Sequence, residues 1–455
     1  MEQVINYKEY SYFMKKLTVL LLSLLYHNMV FAQESMNMPG MSMDTAMKKH
    51  KSMDMSSMCS ALSLNLPMEQ NGSGTSWLPD ASPMNGYMVH SGKWMFMFHG
   101  NLFIRYDKQD LFNAGSRGGE KWDAPDFLMA MAQRKIGKHG LLNFSGMFSL
   151  DALTMGGHGY PLLFQTGESW KGAPLYDRQH PHDLFSELAV SYAYALSHKS
   201  DLYAYVGYPG EPALGPVVFM HRPSAFYDPD APIGHHWEDA THITFGVATI
   251  GYRYDKFKIE ASSFKGREPD ENRYNFDMPK FDSWSGRISY NPSEHWAIQV
   301  SHGYIKSPEA LHPDENVNRS TASVTYSYPF GEKNSFDATA LWGLNKTPGQ
   351  DGSNAALLEA NVRLKKLDVY MRYEWVQKSG EELNLNESIY GAYTMYPINA
   401  ITLGAGYDLF NIGHVTVAGG GQLSLYHADP ALNVLYGQNP MAAEVYLHIY
   451  PRLMN

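Results

Sequence analysis

Two sets of residues in this sequence have types and spacings suited to chemistry. The first is soft sulfur. Met36, Met38, Met41, Met43, Met47, Met53, Met55, Met58 and Met68 crowd into one short stretch, with His50 and Cys59 among them. Three pairs are spaced Met-x-Met: Met36/Met38, Met41/Met43 and Met53/Met55. Methionine ordinarily fills apolar cores, yet these stand among Ser, Asp, Lys and Asn with no apolar face to join. Thioether and thiolate sulfurs are soft donors that select Cu(I) over hard cations, and imidazole can complete such a site. Met36, Met38, Met41, Met43, Met53, Met55, Met58 and Cys59 are therefore candidate copper ligands. Met95, Met97 and His99, spaced two apart, are candidate receivers on one face of a predicted strand.

The second set is histidine beside carboxylate. One stretch reads Asp177-Arg178-Gln179-His180-Pro181-His182-Asp183. A later one holds Met220-His221-Arg222-Pro223, then His235-His236-Trp237-Glu238-Asp239, then Thr241-His242. Such sets can form a Zn or Cu shell, which makes His180, His182, His221, His235, His236 and His242 candidate metal ligands. The plainer reading is that these side chains bond one another and pack long loops into a pore. No Ser stands in a nucleophile context, Ser224 lying beside Arg222 and Pro223, so the chain reads as a non-enzyme. A hydrolase using the His/Asp loops is the outlying alternative.

These residues are carried by three kinds of segment. Lys15-Lys16, the apolar run Leu17–Leu25 and the small residue at Ala32 have the order of a secretory signal peptide. Residues 1–32 are assigned to it, with Met14 as the expected start. Residues 33–92 show neither helix nor strand period and read as a flexible Met-rich periplasmic leader. From residue 93 the pattern alternates. Trp94, Phe96, Phe98, Leu102, Ile104 and Tyr106 oppose Met95, Met97, His99, Asn101, Phe103 and Arg105, which is a strand signal. The pattern recurs to Met441–Tyr450, including a strand read over 388–410. Tight turns alternate with long loops throughout. This predicts an all-β fold, a transmembrane antiparallel barrel of about 16 strands (range 14–18) over 93–455, with long extracellular loops. Arg105, Glu187, Lys258, Glu260, Arg287, Glu359, Arg363, Arg372 and Glu374 would face a lumen wide enough for an aqueous channel. The Gly/Pro-rich run 207–216 reads as a fixed loop inside the barrel.

Composition agrees. The 455 residues are 18% charged, against about 25% in an average protein, because half of each strand is apolar. No apolar run approaches the roughly 20 residues of a spanning helix. A single Cys excludes a disulfide framework. A net charge of −10 argues against nucleic acid as a partner.

The motifs Asp177–Asp183, Gly210-Glu211-Pro212-Ala213-Leu214-Gly215-Pro216, Phe219–Ser224 and His235-His236-Trp237 with Thr241–Gly246 resemble a family of bacterial outer-membrane barrel proteins associated with heavy-metal or copper resistance. The resemblance covers roughly residues 76–455 and implies the barrel fold and an outer-membrane location in a Gram-negative bacterium. The Met-rich leader is also similar to that of a separate family of copper-resistance outer-membrane proteins, whose barrel motifs differ. The expected function is copper binding with resistance or transport across the outer membrane. The expected cofactor is copper, and the expected partners are membrane lipid and periplasmic copper proteins. A general porin with no metal role is the main alternative.

Overall fold

The structure is a computed structural model and describes residues 60–454. Sixteen antiparallel strands form one continuous ladder, from Trp94–Gln109 to Met441–Pro451. The ladder closes where Leu102–Gln109 pairs with Ala442–Ile449. Closure leaves no unpaired edge, which is the condition for strands to span a bilayer. Two short strands protect the seam. Tyr87–Ser91 pairs with the start of the first strand and Gly119–Asp123 with its end.

The period-two pattern sets which way each side chain faces. Outward residues are apolar, among them Leu128, Ile250, Ile259, Leu403 and Val445, all more than half exposed. Aromatic side chains stand at both ends of this band, Tyr194, Tyr254 and Trp296 at one and Trp122 and Trp284 at the other. Seven connections are short, between two and five residues, and both barrel termini lie at that end; the other eight are long loops. An even strand number, short turns on one side and an aromatic-bounded apolar band are the features of a bacterial outer-membrane barrel, with the short turns in the periplasm.

The strand read over 388–410 begins later, at Met395, after a short helical turn at Glu387–Tyr390. A larger correction concerns the leader. From residue 60 onward it is neither featureless nor extended into solvent. Ala61, Met68, Trp77 and Leu78 are buried, and the segment packs against the inner wall. Asn65 donates to Asp201 at 2.7 Å. Arg287 donates to the Thr75 hydroxyl at 2.8 Å. The Lys258 ammonium donates to the Thr75 carbonyl and stands 4.6 Å over the Trp77 ring. Such a chain has no period to read because the wall around it dictates which residues are buried.

Loops occupy the lumen, as read for the Gly/Pro-rich run 207–216. Residues 208–246 run through it almost wholly buried. Gly215 N–H donates to Ser301, Ala213 N–H to Ser262, and Arg105 to Asp230. A second inward element, the hairpin Tyr160–Trp170 with Ala173–Gln179, packs Leu163 and Phe164 against Trp237, Tyr426 and Tyr436. The wall charges expected to face inward do so, and loop charges meet them. Arg222, fully buried, bonds Glu359 at 2.6 Å and Asp239 at 2.7 Å, and Arg372 bonds Asp228 at 3.0 Å.

Candidate functional site

The first strand turns Met95, Met97 and His99 toward the lumen, as its alternation requires. Its neighbours add sulfur in register. Met97 is opposite Met131, His99 is opposite Met129, and Met129 is opposite Met147. Five thioethers thus stand on three adjacent strands. Met68, Met84, Met88, Met220 and Met454 pack onto them, from the inner N-terminal segment, the central loop and the C-terminus. Elsewhere the inner wall mixes Ser, Thr, Arg, Glu and Tyr with apolar residues such as Leu341, Leu357, Val376 and Ile398. The methionines gather on one part of it, reaching from Met95 near the short-turn end to Met129 and Met147 near the long-connection ends of their strands. Beside them His99 Nε2 meets His221 Nδ1 at 3.0 Å, with Phe127 against both rings at 5.1 Å. The helical turn Phe219–His221 touches both groups: Phe219 lies against His182 and His235, while His221 joins His99 and Phe127 at the sulfur-rich wall.

The remaining five histidines gather as their shared side of the barrel suggests. Ring centroids are 5.2 Å apart for His235/His242, 5.3 Å for His235/His236, 5.4 Å for His182/His242 and 5.6 Å for His180/His236. Their Nδ1 atoms face oxygen. His182 meets Asp151 at 2.6 Å, His235 meets Asp239 at 2.5 Å, and His242 meets the Asp239 carbonyl at 3.0 Å. His180 meets Glu168 at 3.2 Å and His236 meets Glu268 at 3.6 Å. Burial holds His180 and His242 well below the usual imidazole range and His236 at about 3. Burial would lower His182 also, but the Asp151 hydrogen bond and charge raise it above its ordinary value. Among the described residues, no group of three or more His, Cys, Asp or Glu side chains is so placed, as it stands, that it could hold a metal ion.

Two spaces adjoin the cluster. A small cavity of about 40 Å³ is lined by His180, His182, Asp151, Phe127 and Met220, so it lies between the imidazoles and the methionine wall. A larger one of about 280 Å³ opens at the long-loop end and is lined by nine carboxylates, Glu168 and Glu268 among them, and by one guanidinium, Arg267.

Of the sequence-stretch candidates, Met36, Met38, Met41, Met43, Met53, Met55, Met58 and Cys59 lie outside the described residues. Met129, Met131 and Met147 were not among the candidates. Met129-x-Met131 repeats the spacing of Met95-x-Met97, and that pairing was the available signal. Ser224 is buried against Thr339 and Glu359, at 2.8 and 2.9 Å, not against an imidazole.

No family model matches the chain, and no curated protein is similar to it. Solved structures of the same architecture include OmpF of Salmonella typhi in complex with daunomycin, 10% identical over 80% of this chain and 100% of that one, TM-score 0.48. An anion-selective porin from Comamonas acidovorans is 11% identical over 79% and 99%, TM-score 0.47. OprB of Pseudomonas putida is 10% identical over 78% and 94%, TM-score 0.47.

Proposed function

We propose that this chain is an outer-membrane barrel that binds a soft cation, Cu(I) or Ag(I), in its lumen and serves resistance to, or transport of, that metal. The observation that carries the reading is a cluster of ten methionines, five of them on three adjacent strands of the wall. These methionines pack on one another and on Phe127; their thioethers are weak hydrogen-bond acceptors but soft donors of the kind that take Cu(I) or Ag(I). The Met-rich leader would collect the ion, and His99 with His221, beside the sulfur wall, would take it. Periplasmic copper proteins are the natural partners for exchange. The resemblance of the loop motifs to metal-resistance barrel proteins agrees with this reading.

The test is titration of the full chain in detergent with Ag(I) and Cu(I), beside a variant carrying Met95→Leu, Met97→Leu, Met129→Leu and Met131→Leu. Leucine keeps the volume and apolar character of methionine, and such swaps cost less than about 1.5 kcal/mol each, while removing the donor. The expected result is loss of a set of sites bound more tightly than micromolar. An unchanged isotherm would sink the proposal.

A further inference from the structure

We propose that His180, His182, His235, His236 and His242 form a second metal site, for an imidazole-seeking divalent cation such as Cu(II) or Zn(II), separate from the sulfur wall. It goes beyond the soft-metal reading, resting on other residues and another donor class.

The first observation is orphaned nitrogen. Nε2 of His180, His182, His236 and His242 is buried without a hydrogen-bond partner. An unmet buried polar atom costs about 1–3 kcal/mol, so four in one cluster need an explanation. The second observation is what the other nitrogens do. Nδ1 of His235, His242 and His180 is within hydrogen-bond reach of the Asp239 carboxylate, the Asp239 carbonyl and the Pro181 carbonyl, which places the proton there and leaves Nε2 of the neutral ring with a lone pair. His182 Nδ1 meets Asp151 and His236 Nδ1 stands 3.6 Å from Glu268. Metal-ligating histidines are held in this way, their remote N–H given to a carboxylate or carbonyl. The protons on Nδ1 are assigned from these oxygens, in the usual way for imidazole. A lone pair accepts from a donor or from a metal, and the nearest rings of the cluster are themselves imidazoles.

The spacing agrees. In a tetrahedral imidazole shell with metal–nitrogen bonds of about 2.0–2.1 Å, neighbouring ring centroids stand roughly 5 Å apart. The pairs His235/His242, His235/His236 and His182/His242 are at 5.2–5.4 Å. Closing the shell takes rotation about χ2, which is a soft torsion in histidine. Access is from the carboxylate-lined mouth, whose Glu168 and Glu268 are also the partners of His180 and His236. That lining concentrates cations and repels anions.

The experiment uses the full chain in detergent, loaded with one equivalent of Cu(II) for electron paramagnetic resonance and titrated with Zn(II) against a chelating dye. Nitrogen couplings from at least three imidazoles are expected, with affinity in the order Cu(II) above Zn(II). His182→Gln with His242→Gln should weaken Zn(II) at least 100-fold, while Met97→Leu with Met131→Leu should leave Zn(II) unchanged. The heat-modifiable gel shift of the closed barrel reports that each variant has folded. A wild-type Cu(II) spectrum with fewer than three imidazole nitrogens overturns the proposal without any variant. Unchanged Zn(II) affinity in the folded double histidine variant does so as well.

Discussion

Gly167 shows how closely the histidine cluster is fitted. Its φ is +131°, and a Cβ built there would meet the His236 ring at 2.4 Å. Both the backbone conformation and the space require glycine. Gly167→Ala should therefore displace His236 and weaken divalent-ion binding by about tenfold, with little effect on Ag(I) binding at the methionine wall. Parallel Zn(II) and Ag(I) titrations check this; equal losses at both sites would mean that the lumen rearranges as a whole. At this scale the sequence was only partly informative. Met95, Met97 and His99 could be placed on one face by counting in twos. The methionines opposite them could not, because strand register is a long-range property. His221 belongs with His99 for a similar reason: it directly precedes Arg222, yet only the path of the central loop through the lumen decides which side chains each of them reaches.

Among the elements, residues 208–246 decide whether the barrel is open. Their hold on the wall is electrostatic as much as apolar, and Arg222 is its centre, bonded to Glu359 on the wall and to Asp239, which also holds His235. Removing one partner of a buried ion pair typically costs about 3–5 kcal/mol, because the other charge stays buried and unpaired. Arg222→Ala should loosen the loop by that order, raise single-channel conductance in planar bilayers above the wild type, and expose 208–246 to protease. Wild-type conductance and protease resistance in that variant would show that the loop is held by its apolar contacts alone. The strands were readable because alternation and turn length are local properties. The burial of residues 60–84 was not, since nothing in an irregular polar segment records the Arg287, Lys258 and Asp201 side chains that receive it.

Across the whole molecule, donor character changes from one end of the lumen to the other. Carboxylates line the mouth among the long loops, imidazoles adjoin it, and the thioethers form a separate wall reaching down to the short-turn end, with the small cavity lined by His182 and Met220 between the last two. That is a sequence of hard, borderline and soft ligands. The central claim is that a soft ion is held by the sulfur wall of the barrel itself. X-ray absorption at the copper edge tests it most directly, on the full chain with Met36, Met38, Met41, Met43, Met47, Met53, Met55, Met58 and Cys59 replaced by leucine or serine and loaded with one equivalent of Cu(I). The account predicts a shell dominated by sulfur that disappears when Met95, Met97, Met129 and Met131 are also changed to leucine. A shell of nitrogen and oxygen alone in the first protein, or a sulfur shell that survives the second set of changes, would contradict it.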